Sequence, residues 1–216
     1  MAASDGEILG LTKILDNGPN DQRFNIVIVA EGFQGDTIAA QTDFNDRCQD
    51  IVDAFTNEPW FSEGLLGAIN IHRLNVRSDD AGADIPGTCG DGSTATAVTA
   101  DTYFDATYCT AGIRRCLGCD WNLVRSTLNT QLPQWHAAAV LVNNTDRGGC
   151  ASGNVFATAL SADWLDVVMH ELGHAAFDLA DEYSYWAGCG SGETDRDHAP
   201  AGEPAEPNIT ATGSLA

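Results

Sequence analysis

The chain has 216 residues, with 31 acidic and 10 basic side chains and a formal charge of −21. This length suits one domain with a buried core, and the strong acidity disfavours nucleic acid as a partner. No apolar run approaches the length of a membrane span, and no basic segment followed by an apolar one marks a signal peptide.

The first half of the chain alternates between strand and helix patterns. An apolar run at residues 24–30 is typical of a buried strand. Residues 36–57 carry apolar side chains at helical spacing up to Pro59, which predicts a helix. Residues 69–77 predict a second strand, and residues 78–98, rich in Gly, Asp, Ser and Thr, predict a long loop.

The second half continues this alternation. Residues 102–107 predict a short helix, and residues 120–132 predict a longer one with Asp120 as its cap. Residues 137–142 predict a third core strand, and residues 153–158 a weaker strand at an edge of the sheet. Strands that alternate with helices indicate an α/β sandwich with a mixed sheet.

The predicted edge strand has a functional interpretation. An extended peptide can add to an exposed edge by backbone hydrogen bonds, so Asn154, Val155 and Phe156 are candidate substrate-binding residues. The alternative is an ordinary sheet edge.

The most informative motif is His170-Glu171-Leu172-Gly173-His174, which has the pattern HExxH. Residues at i and i+4 share one face of a helix, so His170 and His174 can hold one zinc ion, with Glu171 beside the metal's open side. Ser161 is the predicted N-cap of this helix. The alternative is two histidines that only pack or face solvent.

A third zinc ligand requires the chain to turn back. A straight helix rises about 1.5 Å per residue, so Asp181 would lie roughly 10 Å beyond His174. We therefore expect the helix to end near Phe177, with Asp178 helping to form the turn. Asp181 is the predicted third ligand and Glu182 the alternative; a solvated acidic helix end, or groups that orient the histidines, is the other interpretation.

Two tyrosines follow this segment. Tyr183 or Tyr185 could reach the oxyanion that develops during hydrolysis, and packing beneath the metal is the alternative.

Seven cysteines indicate disulfides and an oxidising, extracellular location. The odd count leaves one cysteine free or paired outside this chain. Cys116 and Cys119 form a C-x-x-C pair, for which half of a zinc site or a redox pair is the alternative.

An acidic stretch at residues 79–84 offers oxygen ligands for Ca²⁺. It lacks the ligand spacing of a known calcium loop, so calcium is the weaker metal prediction.

The run from His170 to Tyr183 resembles the M64 family of metallopeptidases, named for a bacterial immunoglobulin A peptidase. In that family HExGH is followed closely by LADEY. Further segments are similar to the family, namely residues 25–33, 140–143, 147–150 and 206–210. The resemblance implies a zinc-dependent endopeptidase of the zincin (metzincin-like) type, with His170 and His174 as ligands and Glu171 as catalytic glutamate.

Together these patterns predict a secreted zinc endopeptidase that acts on proteins or peptides, with Glu171 as general base. The predicted peptidase domain is residues 23–187, after an N-terminal segment of residues 1–22. Residues 188–216 form a loop-rich acidic segment that completes or follows the domain. The alternatives are a zinc amidase or deacylase with a non-protein substrate, and a zinc-stabilised binding domain without activity. The sequence predicts neither an oligomeric state nor a cleavage-site preference.

Overall fold

A six-stranded mixed sheet forms the centre of the protein. The computed structural model describes residues 5–59, 61–179 and 207. The strands are β1 (Gly6–Leu15), β2 (Phe24–Glu31), β3 (Ile69–Ser78), β4 (Ala137–Val142), β5 (Gly149–Ser152) and β6 (Val155–Ala159). Their order in the sheet is β1-β3-β2-β4-β6-β5. The four inner strands run parallel, and β1 and β5 pair antiparallel at the two edges.

Helices cover both faces of this sheet. They are α1 (Thr42–Asn57), α2 (Trp121–Gln131) and α3 (Trp164–Phe177), with short helical turns at Asn20–Gln22, Phe61–Leu65, Leu66–Ala68 and Thr110–Gly112. The guanidinium of Arg47 in α1 lies 5.8 Å from the ring centre of Trp164 in α3, which places these two helices on the same face. In β5, Gly149 contacts α3, and the side chain of Ser152 points to the opposite face of the sheet. Arg125 of α2 donates to this Ser152 side chain, so α2 lies on that opposite face. The layers are therefore α1 and α3, the sheet, and α2.

The inner strands form the apolar core. The side chains of β2, β4 and β6 are buried almost throughout, as expected for parallel strands covered on both faces. The chain leaves β2 toward β3 on one side, and β4 lies on the other side, so a crevice opens beyond the carboxyl ends of β2 and β4.

Residues 79–119, which we call the disulfide loop, fill this crevice. Gly32, just after β2, has φ +71°, and a Cβ atom there would lie 2.5 Å from the carbonyl oxygen of Gly82. Tyr108 donates its hydroxyl to the carbonyl of Asp146, which follows β4, at 2.6 Å. The crevice that binds ligands in many open α/β sheets is thus occupied by the protein's own backbone.

The structure confirms most of the predicted elements. The strands expected at residues 24–30, 69–77 and 137–142 are β2, β3 and β4. Helix α2 begins after Asp120, whose carboxylate accepts hydrogen bonds from two amides of the first turn. The mixed-sheet α/β class is therefore correct.

Two helix predictions need correction. The helix predicted over 36–57 begins only at Thr42, because Gln41 is buried and donates to the Val76 carbonyl at 2.8 Å, which holds the chain in a turn. The helix predicted over 102–107 does not form. The amides of Phe104 and Ala106 donate to the Glu31 carboxylate instead of to helix carbonyls.

Three predictions near the chain's edges and near α3 also differ. Residues 6–15, predicted within an N-terminal segment outside the domain, form β1 and belong to the sheet. Asp163 rather than Ser161 precedes α3, and the Ser161 hydroxyl bonds to the Asp163 carboxylate at 2.8 Å. The strand predicted over 153–158 is β6, which lies between β4 and β5 and is not an edge.

Each helix in the described ranges is too short or too polar to cross a lipid bilayer.

Candidate active site

The two histidines of the HExxH motif converge on the last turns of α3. His170 and His174 lie one turn apart, with their ring planes at 87° and their ring centres 4.7 Å apart. Their Nε2 atoms are 3.2 Å apart. Two ligands bound at 2.0–2.1 Å in tetrahedral geometry would be separated by about 3.3 Å, so the pair fits a single zinc ion.

A backbone carbonyl fixes the orientation of His174. The Nδ1 atom of His174 lies 2.5 Å from the carbonyl oxygen of Leu179. A carbonyl can only accept a hydrogen bond, so Nδ1 is the donor, and the neutral imidazole then has its lone pair at Nε2. This is the tautomer that a metal needs at Nε2, held by the kind of outer contact that metal-binding histidines use.

The chain reverses directly after α3. The helix ends at Phe177, where the sequence predicts its end, and Asp178 adopts the left-handed conformation with φ +53°. Asp is among the few residues that adopt this conformation readily. The amide of Leu179 then donates to the Gly173 carbonyl at 3.2 Å, and its side chain lies on Gly173, where a Cβ would be 3.4 Å from Leu179 Cδ1.

This reversal brings the carbonyl of Leu179 against the imidazole of His174. The predicted third ligands Asp181 and Glu182 lie outside the described residues, as do Tyr183 and Tyr185. Among the residues that the structure describes, no group of three His, Cys, Asp or Glu side chains could hold a metal ion. The two imidazoles are therefore an incomplete ligand set within this part of the chain.

Glu171 points from α3 toward the edge strand β5. The residue is buried, with 9 % of its surface exposed. A Cβ atom on Gly149 would lie 3.4 Å from Glu171 Oε1 and 2.9 Å from Val167 Cγ1. Glycine at this position thus leaves room for the glutamate between helix and strand.

Strand β5, and not β6, is the free edge beside this helix. β6 pairs with β4 and β5, and Val155 and Phe156 are fully buried, so strand addition cannot occur at the predicted residues 154–156. Asn154 lies in the hairpin turn and donates to the His136 carbonyl at 3.0 Å. The prediction missed β5 because its four residues carry almost no apolar pattern.

The free edge of β5 offers few hydrogen-bonding groups. The Gly148 carbonyl accepts from Ala159 of β6, so by antiparallel alternation the backbone groups of Gly149 and Ala151 point away from the sheet. The Gly149 amide donates to the Arg115 carbonyl at 3.1 Å. The Gly149 carbonyl and both backbone groups of Ala151 therefore face the side where a peptide would lie.

The cysteines of the described segments are structural. Disulfides join Cys89 to Cys109 and Cys116 to Cys150, so Cys116 does not pair with Cys119 and the redox-pair alternative is wrong. Burial, followed by the nearby Glu31 carboxylate, raises the pKa of the Cys119 thiol, which keeps it protonated and unsuited to metal binding. Cys48 is also a buried free thiol, and Cys189 lies outside the described residues.

The acidic stretch at residues 79–84 uses its carboxylates within the loop. Asp79 pairs with Arg77 at 2.9 Å, and Asp80 accepts from the Asp101 amide at 3.0 Å. Asp84 accepts from the Ala100 amide at 2.9 Å. These contacts brace the disulfide loop, and the described residues contain no acidic cluster of metal-binding size.

Glu31 is a buried carboxylate that the sequence patterns do not single out. It ends β2 with no exposed surface and accepts from the amides of Phe104 and Ala106 at 3.0 Å. Burial raises its pKa to about 7, against the opposing effect of hydrogen bonds from Thr102, Phe104 and Ala106. Glu31 therefore anchors the disulfide loop above the sheet. A charged residue at the end of an apolar strand was the only available signal.

The chain matches a known family along most of its length. The family model described as IgA Peptidase M64 matches residues 12–216, a range that spans the sheet from within β1 to β6, α3 and the segment beyond it. No curated protein matches the chain. Because the family model covers nearly all of the sequence, the chain belongs to the IgA peptidase M64 family and is a peptidase.

Proposed function

We propose that the protein is a secreted, zinc-dependent endopeptidase of the zincin (metzincin-like) type. The observation that carries the proposal is the convergence of two Nε2 atoms at 3.2 Å, one of them held in the metal-binding tautomer. A mixed sheet with an antiparallel edge strand beside the HExxH helix supports the fold type. Two disulfides support an oxidising location outside the cell.

His170 and His174 hold the metal, and Asp181 completes the set, with Glu182 as the alternative. The reversal of the chain at Asp178 and Leu179 supports a third ligand from this segment, since it returns the backbone to the side of His174. Zinc supplies Lewis acidity at such a site, which acidifies a bound water and polarises the substrate carbonyl.

Glu171 is the general base. Its carboxylate takes the proton of the attacking water and delivers it to the leaving amine. Two observations support this role: Glu171 directly follows His170 on α3, and its carboxylate is confined beside Gly149 of β5. A confined base reaches its proton without first losing side-chain freedom.

The substrate lies along β5 as an added antiparallel strand. Ala151 donates and accepts one backbone hydrogen bond each, and the Gly149 carbonyl accepts another. β5, and not residues 154–156, is the proposed binding strand because β5 has a free edge. A peptide on this edge would lie beside Glu171. A peptide held at its middle by backbone groups suits cleavage within a chain.

The test is the Glu171→Gln variant, measured for zinc content and for cleavage of a peptide library. We expect zinc to be retained and kcat/KM to fall by about 10²–10⁴-fold, since the base is lost while both histidines remain. Glu63→Gln, at an exposed position away from α3, is the matched control and should keep full activity.

Two outcomes would contradict the proposal. Full activity in Glu171→Gln would exclude its role as base. Zinc binding without cleavage of any peptide, together with hydrolysis of a small non-protein amide, would favour an amidase or deacylase instead.

A further inference from the structure

We propose that the Cys116–Cys150 disulfide is a positioning device for catalysis, which holds β5 and thereby Gly149 against Glu171. The inference rests on the proposed function and concerns residues to which neither the HExxH motif nor the family match assigns a role. The supporting observation is a continuous set of contacts from the disulfide loop through β5 to helix α3.

On one side, three consecutive residues of the chain at β5 meet three consecutive residues of the disulfide loop. Cys150 is bonded to Cys116, and the Gly149 amide donates to the Arg115 carbonyl at 3.1 Å. A Cβ atom on Gly148 would lie 3.1 Å from Leu117 Cβ. The covalent bond therefore lies within a close-packed junction, and it fixes the start of β5 to the loop.

On the other side, β5 meets α3. Gly149 is in contact with Val167 and lies close to the Glu171 carboxylate. Successive side chains of a strand alternate between faces, so the disulfide at Cys150 lies on the face opposite α3. It can therefore hold the strand without occupying the face of β5 on which Val167 and Glu171 lie.

The strand needs such support because it is short and has a strand neighbour on one side only. β5 has four residues and pairs with β6 alone. Arg125 holds its far end through the Ser152 carbonyl, which leaves the end nearest Glu171 to the disulfide junction. Edge segments with few contacts open locally more often than the core of a sheet.

The loop is itself fixed to the core, so the disulfide connects β5 to a rigid support. Glu31 binds the amides of Phe104 and Ala106, and Tyr108 donates to the Asp146 carbonyl. These contacts are buried or partly buried and join the loop to the ends of β2 and β4. Movement of β5 away from α3 would have to break the disulfide or displace this loop.

The chain offers a matched control in its second disulfide. Cys89–Cys109 joins two points of the same loop, and the two bonds span 20 and 34 residues. The entropy of loop closure grows only with the logarithm of this span, so both bonds should stabilise the fold to a similar extent. Only Cys116–Cys150 reaches β5.

The experiment compares wild type, Cys116→Ser/Cys150→Ser and Cys89→Ser/Cys109→Ser. Kinetics use a fluorogenic peptide that the wild type cleaves, and hydrogen exchange of residues 148–153 is measured on the metal-free proteins. We expect the Cys116/Cys150 variant to lose on the order of 10- to 100-fold in kcat/KM, with lower kcat and higher KM. Exchange at residues 148–153 should accelerate in this variant alone, and the Cys89/Cys109 variant should keep wild-type kinetics despite a similar loss of thermal stability.

A second pair of variants keeps both disulfides and covers the case in which the double serine variant does not fold. In Gly148→Ala, the new Cβ would lie 2.6 Å from Tyr108 Cε1 and would push β5 away from the loop. Gly64→Ala, whose Cβ would meet nothing within 4 Å, is the control. Gly148→Ala should show the same kinetic and exchange changes, and Gly64→Ala should show none.

The outcomes separate the two hypotheses. A wild type that cleaves no peptide contradicts the proposed function. A wild type that cleaves, combined with wild-type kinetics in the Cys116/Cys150 and Gly148 variants, overturns the positioning role alone. Equal kinetic losses in both disulfide variants would also overturn it, since they would show only a general loss of stability.

Discussion

Glu31 places a buried carboxylate at the carboxyl end of β2, where it accepts hydrogen bonds from two amides of the disulfide loop. Its pKa of about 7 follows from burial, which disfavours the charged form more than the hydrogen bonds favour it. Since the ordinary pKa is 4.5, the folded protein holds a proton over a pH range in which the unfolded chain has released it. The free energy of unfolding therefore depends on pH through the titration of Glu31.

Glu31→Gln should remove this dependence. In wild type the contribution of Glu31 to the free energy of unfolding is fully present below pH 4.5 and is lost as the pH rises to about 7. The difference in free energy of unfolding, wild type minus variant, should therefore fall by on the order of 3 kcal/mol across this window. Urea titrations at several pH values measure it. Glu7→Gln, at an exposed position, should run parallel to wild type, and a parallel Glu31→Gln curve would refute the prediction.

At this scale the sequence predicts what helix geometry alone determines. His170 and His174 converge because four residues make about one turn of a helix. Glu31 and Gly149 could not be found in this way. Their roles depend on which loop and which helix lie next to them in the fold, and the spacing of residues in the sequence does not indicate these neighbours.

Helix α3 ends at a single residue in an unusual conformation. Asp178 at φ +53° turns the chain so that Leu179 can accept from His174. The orientation of the His174 imidazole thus depends on the backbone conformation of Asp178.

Substitution of Asp178 should separate conformation from charge. Asp178→Val puts a β-branched side chain in the left-handed region, which should lower the free energy of unfolding by about 1–2 kcal/mol and weaken zinc binding. Asp178→Gly adopts this conformation without strain and should keep both properties, and Asp178→Asn should do the same without the charge. Thermal unfolding and zinc titration measure the effects. Equal zinc affinity in the Val and Gly variants would contradict the link between this turn and His174.

At several element boundaries, tertiary contacts determine the structure and override the local sequence pattern. The end of α3 was predictable because a ligand beyond it requires a turn, and Asp178 is suited to form one. The helix expected over 102–107 was wrong because Glu31, 71 residues earlier than Thr102 in the sequence, binds its amides. The edge strand was assigned to residues 153–158 because β6 has the stronger apolar pattern, whereas β5 is recognisable only through its pairing.

The whole molecule carries 31 acidic and 10 basic side chains, so its many negative charges repel one another in the folded state. The ion pairs of the described segments, such as Lys13–Asp16 and Arg47–Asp50, are partly exposed and add little stability. Repulsion between like charges should therefore dominate the response of this protein to salt.

Added salt should raise the melting temperature. Raising NaCl from 0.1 to 1 M shortens the screening length from about 10 Å to about 3 Å, which weakens repulsion more than it weakens the few ion pairs. We expect an increase of a few degrees, measured by calorimetry at neutral pH, with sucrose as a control for non-ionic effects. A falling melting temperature would mean that attractive pairs dominate.

The strand β5 has a further consequence for the behaviour of the protein in concentrated solution. An edge strand open enough to receive a peptide is also a template on which other chains can pair and aggregate. Here four residues, a blocked amide at Gly149 and a disulfide at Cys150 leave three outward backbone groups. So short a template can align one stretch of a substrate but cannot seed a growing sheet, and the junction with the disulfide loop thereby limits self-association at this edge.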